Sequence, residues 1–120
     1  MCMSEERKDN LIAAFRKMTD FNEMFMGIIP TKEEYQIRQA SLFDIRNCLI
    51  KDKVTRVDYE AQLRRLRELL ETFVTLNAHH PGLRERYQQY DLKFENFIFQ
   101  MKHVILTVRV QIMLLELCEW

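Results

Sequence analysis

Along this chain, apolar side chains recur at alternating steps of three and four, the spacing that lines one side of an α-helix. Three short breaks, GIIPT at 27–31, IKDKV at 50–54 and NAHHPG at 77–82, divide the pattern into four segments. The first carries Leu11, Phe15, Met18, Asn22, Phe25 and Ile29, widened by Ile12 and Phe21. The second carries Tyr35, Leu42, Ile45 and Leu49. In the third, Tyr59, Leu63, Leu66, Leu70 and Phe73 form the line, flanked by Leu69 and Leu76. The fourth runs through Leu83, Tyr87, Tyr90, Phe94, Phe97, Met101, Val104 and Val108, then continues through Ile112 and Leu115. Helices are expected over about 4–26, 32–50, 56–77 and 83–118.

Local signals agree with these boundaries. Thr31 followed by Glu34 reads as a capping box, each side chain positioned to satisfy the other residue's free amide, with Pro30 just outside. Thr55 is expected to cap the third helix, and Asp58 in its first turn suits the helix dipole. Two glycines and two prolines in 120 residues leave little turn chemistry for a strand-rich fold. Short connections make sequential helices antiparallel. The expected fold is all-α: one domain over residues 1–120, an antiparallel four-helix bundle with a long C-terminal helix.

The closing stretch HVILTVRVQIMLLELCEW, 103–120, is the most apolar part of the chain and admits three readings. A membrane span needs about 20 mainly apolar residues. The window 98–118 holds Gln100, Lys102, His103, Arg109, Gln111 and Glu116, so no span is expected. A helix lying flat on lipid usually shows a polar face rich in lysine and arginine, and bases are few here. A strand is suggested by Val104, Leu106, Val108, Val110 and Ile112 at even positions, but no second segment offers to pair with it. Helix is the better reading.

On a helix at about 100° per residue, this segment has two apolar sides. Phe97, Met101, Val104, Val108, Ile112 and Leu115 gather on one. Leu92, Phe99, Leu106, Val110, Met113 and Leu117 gather opposite, with Asn96 and His103 in the same heptad phase. The fourth helix also exceeds its neighbours by about fourteen residues, an overhang of roughly 21 Å. Large apolar side chains left in water forfeit about 1.5–3 kcal/mol each, so a cover is expected. One alternative covers the second line from within, with helix one folded across it. The other gives it to a second protein chain, a copy of this one or a different helical protein. Asn96 and His103 then set register or orientation, as buried polar residues do in coiled coils; simple solvent exposure is their plain alternative.

Chemistry is sparse. Glycine-rich phosphate loops, HExxH, nucleophile elbows and the Glu-x-x-His pairs of di-metal bundles do not occur. No catalytic residue, metal ligand or cofactor is therefore expected. His79 and His80 sit in a turn beside Pro81, and the early acids Glu5, Glu6, Glu33 and Glu34 are explained by helix dipoles. Charge is balanced, 18 basic against 18 acidic residues, which disfavours a phosphate-binding domain. Arg64, Arg65 and Arg67, extended by Arg84 and Arg86, form the one alternative nucleic-acid patch, although Arg64–Glu68 and Arg67–Glu71 spacing suits a solvated ion-pair face. Cys2, Cys48 and Cys118 fit neither a metal pattern nor a disulfide framework, and no apolar leader is evident, so a cytoplasmic or nuclear setting is expected. Together these features predict a non-enzymatic interaction or assembly module, an adaptor or scaffold acting through coiled-coil-like packing as a homodimer or complex subunit.

Overall fold

A computed structural model describes residues 2–26, 32–79 and 82–119. Among them the chain is helical, with α1 at Glu5–Glu23, α2 at Lys32–Ile50, α3 at Arg56–His79, α4 at Gly82–Arg86 and α5 at Tyr90–Cys118. The four long helices form a ring in which α1 packs on α2, α2 on α3, α3 on α5 and α5 on α1. The result is an antiparallel bundle measuring 52 × 25 × 21 Å.

Caps form where the sequence places free backbone groups. The Ser4 side chain accepts from the Arg7 amide at 3.2 Å. Thr55 and Asp58 make a reciprocal box: the Thr55 amide donates to Asp58 Oδ2, and the Asp58 amide to Thr55 Oγ1, both at 3.1 Å. Those bonds, led by the Thr55 amide and helped by Lys51, hold the Asp58 carboxyl below its ordinary range. The Thr31 cap expected for α2 lies outside the described residues.

The core is aromatic at one end and aliphatic at the other. Phe21 stacks on Phe97 at 4.7 Å between ring centroids and meets Phe25 edge-on at 5.5 Å, while Phe73 lies 4.5 Å from Phe97. These rings join α1, α3 and α5. Met18, Leu42, Ile45, Leu49, Leu66 and Val108 continue the fully buried interior.

One polar knot sits inside this apolar packing. Asn22, fully buried, accepts from Arg38 Nε at 2.9 Å and donates to Gln39 Oε1 at 2.8 Å and to the Tyr35 carbonyl at 3.3 Å. Arg38 is 4% exposed, and its guanidinium lies against the Phe25 and Phe73 rings at 5.6 and 5.7 Å. Burial lowers its pKa, partly offset by the nearby Glu34 carboxylate.

The helix expected over 83–118 is two helices. Gln89 adopts a left-handed conformation, φ 57° and ψ 31°, and the chain turns between α4 and α5. Leu83 and Tyr90 are both buried nonetheless. Heptad spacing records that residues face a common core, and a bent chain satisfies that as well as a straight one. Arg84 ties the two pieces together, reaching Asp91 Oδ1 at 2.7 Å and lying over the Tyr90 ring at 5.7 Å.

The expected overhang also disappears. α5 has 29 residues against 24 in α3. Its C-terminal turn is flanked by Arg56, which pairs with Glu119 at 3.1 Å and approaches Glu116 at 3.9 Å. Met3, Val54, Tyr59 and Leu115 line a small cavity of about 160 Å³ at this end.

Two outcomes follow for the α4–α5 junction. A non-glycine residue in the left-handed region costs roughly 1 kcal/mol, so Gln89→Gly is expected to raise unfolding stability by about 0.5–1 kcal/mol in urea titrations. The Tyr90 hydroxyl is buried with no hydrogen-bond partner among the described residues, and burial pushes its pKa up to about 12. A phenol with a raised folded pKa contributes stability below its unfolded value near pH 10 and loses it as pH rises towards 12. Tyr90→Phe should therefore remove an alkaline loss on the order of 2 kcal/mol, read as the difference between wild-type and variant unfolding curves at pH 9 and 12.

Candidate interaction surface

Each helix in a four-membered ring has an inner face, two flanks against neighbours and one outer face. On α5 the inner face is Phe97, Met101, Val104, Val108 and Ile112, all buried. Residues 104–112 are helical throughout, so the strand alternative does not hold. The outer face is the unusual one. Leu92, Phe99, Leu106, Met113 and Leu117 are 60, 66, 56, 60 and 69% exposed. Val110 is half-buried, and Asn96 and His103 are exposed. Helix one does not cross this face; it packs inside the ring through Leu11, Phe15, Met18 and Phe21.

Elsewhere, exposed apolar residues are scattered. Met26, Ile37, Phe43, Val57 and Val74 are distributed over two helices and a turn, and single exposures of that kind are ordinary. Those on α5 fall a heptad apart from Leu92 to Met113 and end at Leu117; with Asn96, His103 and Val110 between them they form a seam at alternating steps of four and three. From Leu92 to Leu117 it is about 37 Å long at 1.5 Å per residue.

The polar members of the seam are held locally. Asn96 Oδ1 accepts from Gln100 Nε2 at 3.5 Å. The His103 ring lies parallel to the Phe99 ring, with centroids 6.5 Å apart. Lys102 and Arg109, one heptad apart on the flank towards α3, make no ion pair among the described residues.

Sequence periodicity located the seam but not its second wall. A groove runs between α1 and α5. Its wider part, about 310 Å³, is bounded by Lys17, Asp20, Phe21 and Met24 on one side and Lys93, Asn96 and Phe97 on the other. Further along, about 270 Å³ opens between Arg7, Asn10 and Leu11 and His103, Leu106, Thr107 and Val110. Lys17 and Asn10 lie off the apolar line of helix one, so nothing in that line's own spacing marks them as neighbours of α5.

The alternative arginine patch divides in space. Arg64 and Arg67 are exposed on α3. Arg65 is half-buried, accepted by Gln62 Oε1 at 3.2 Å and 3.9 Å from Asp44. The expected Arg64–Glu68 and Arg67–Glu71 pairs do not close among the described residues. Arg84 is engaged by Asp91, and Arg86 lies over Tyr87 at 5.9 Å. The twelve residues between Arg67 and the end of α3 span about 18 Å, which sets the two arginine groups apart.

No group of three or more potential metal ligands occurs among the described residues. Cys2, Cys48 and Cys118 are free. By length and composition α5 also meets the requirement for a membrane span, its best window having a mean hydropathy of 1.4. Its inner face, however, carries the bundle core together with buried Gln100 and Gln111. Comparisons with protein-family models, curated proteins and solved structures each find no match for this chain.

The two faces of α5 should respond differently to charge. Leu106→Glu, on the outer face, is expected to change the stability of the isolated fold by no more than about 0.5 kcal/mol. Val108→Glu places an unpaired carboxylate in the core and should cost more than about 3 kcal/mol. Thermal unfolding followed by circular dichroism compares the two; equal losses would mean that Leu106 is also a core residue.

Proposed function

We propose that this protein is a non-enzymatic interaction or assembly module whose outer α5 seam is covered by another helical chain. The observation that carries this reading is the exposure of five large apolar side chains, Leu92, Phe99, Leu106 and Met113 a heptad apart and Leu117 beside them, on a helix whose core face is already occupied. Covering each, at 56–69% exposed, releases about 1–2 kcal/mol of hydrophobic free energy. The sum is comparable with the 4–15 kcal/mol lost on association, and apolar groups contributed by the partner add to it.

Lys102 and Arg109 beside the seam favour a protein cover over hydrocarbon, because a spanning α5 would hold both charges at membrane depth. A helix-on-helix contact leaves them at a wet rim, where their stems pack and their charged ends stay solvated. Asn96 and His103 fit the same arrangement, since a protein partner offers hydrogen-bonding groups that lipid tails do not.

The test is a Leu106→Glu/Met113→Glu variant compared with wild type by solution mass at micromolar concentration and by affinity capture from the source cell. The expected outcome is unchanged helicity with assembly lost. A variant that folds and associates in every respect like wild type removes the reading.

A further inference from the structure

We infer that the occupant of the α5 seam is a second copy of this chain, packed parallel and in register; this rests on the interaction reading above. The seam has the two alternating rows of a coiled coil. One row is Leu92, Phe99, Leu106 and Met113; the other is Asn96, His103, Val110 and Leu117. In a parallel, in-register dimer each layer meets its own copy. Asn96 then faces Asn96, a pair able to exchange amide hydrogen bonds, and His103 faces His103. Every apolar layer meets an apolar layer.

The antiparallel alternatives are poorer on the same residues. The register that overlaps the full seam sets Asn96 against Met113 and His103 against Leu106, leaving polar groups on apolar surface. It also brings Lys102 against Arg109 and Glu95 against Glu116 along the rim, all like charges. Sliding by one heptad relieves some of that repulsion but withdraws Leu92 from the contact and places Arg109 against itself. Only the parallel register keeps both the area and the matching of polar layers.

Rim charge is compatible with self-pairing. In parallel coils the residue before each Asn96-row position faces the residue after a Leu92-row position of the other chain. Here the first set is Glu95, Lys102, Arg109 and Glu116 and the second is Lys93, Gln100, Thr107 and Leu114; Glu95, Lys102 and Arg109 fall at the levels of uncharged Gln100, Thr107 and Leu114, with Gln100 itself buried against the bundle. Those three charges therefore meet neutral side chains. The α1 wall is mixed: Lys17 and Asp20 both line the groove at the level of Asn96, so Glu95 of the second copy arrives beside one charge of each sign. Lys102 of that copy comes near Arg7 and Asn10 and is the one crowded cation.

The area is adequate as well. A stable interface removes roughly 800 Å² per partner from water. A seam about 37 Å long, with its flanking stems and α1 rim, is of that size. Because it lies opposite the core, two bundles can join through it back to back without displacing α1 or α3.

The test uses the full chain of 14.6 kDa and sedimentation equilibrium between 1 and 100 µM. The dimer mass is expected for wild type and the monomer mass for Leu106→Glu/Met113→Glu, with circular dichroism establishing that the variant is folded. Spin labels on single cysteines replacing Glu95 or, separately, Glu116, with Cys2, Cys48 and Cys118 changed to serine, then report the register. The parallel dimer gives short label-to-label distances at both positions. Short distances at neither position, with dimer mass retained, mean an antiparallel pairing and overturn the proposal. A monomeric wild type also overturns it, while the interaction reading stands if the wild type captures a partner that the double variant does not. A dimer indifferent to both glutamates overturns both.

Discussion

A corner helix in a four-membered ring can bury one face and lean on two neighbours; its fourth face is left to solvent. That geometric constraint governs the rest of this structure. α1, α2 and α3 keep mainly polar residues outward, with only scattered apolar exposures such as Ile37, Phe43, Val57 and Val74. α5 does not conform. Phe97, Met101, Val104 and Val108 fill the core, and Phe99, Leu106 and Met113 point away from it. No rotation of α5 resolves this, because turning the outer row inward would expose the Phe97 ring that Phe21 and Phe73 contact. The outer row is a property of a well-packed bundle, not a symptom of a poorly packed one.

The orientation of α5 depends in turn on the opposite side of the ring. Arg38 and Asn22 are polar residues on two core-facing lines joined by a 2.9 Å bond, although Arg38 Nη2 is buried with no hydrogen-bond partner among the described residues. Arg38 also lies against Phe25 and Phe73, rings in the cluster that seats Phe97. A buried guanidinium with fixed hydrogen-bond geometry tolerates less sliding than aliphatic contacts do. The knot sets α1 against α2 at the aromatic end, and the ring stack carries that setting across to α5. Specificity at one corner thus helps to keep the seam at the other facing outward.

Much of this was readable from residue spacing. Four periodic segments gave the bundle, and phase on a 100° wheel separated the two faces of α5. Even the polar knot left a trace. The line of helix two steps from Tyr35 to Leu42, a gap of seven with Arg38 at the missing position, while Asn22 interrupts the line of helix one. Spacing could not reveal that these interruptions meet, since pairing between helices is a tertiary fact. It also missed the bend at Gln89, because Leu83 and Tyr87 hold the heptad phase across a turn. Residue counts overstate the overhang for a related reason: they compare helix lengths but not where the N-terminal segment and the α2–α3 connection fold, and both lie beside the end of α5. The Lys17 and Asn10 wall of the groove was invisible because those residues have no place in an apolar pattern.

What covers the seam is constrained by its mixture of residues more than by its hydrophobicity. A purely apolar face would suit lipid, a peptide or another helix equally well. Asn96 and His103 break that equivalence, being in phase with Val110 and Leu117 and spaced a heptad apart. In hydrocarbon they would be unsatisfied donors and acceptors, and against an arbitrary apolar helix they would incur the same penalty. Against a surface that presents polar groups in the same layers they become an aid to alignment, contributing little affinity but excluding shifted registers. The flanking Lys102 and Arg109 act similarly, disfavouring any arrangement that opposes them to each other. Under the proposed self-pairing this mixture is matched by symmetry, because each polar layer then meets its own copy.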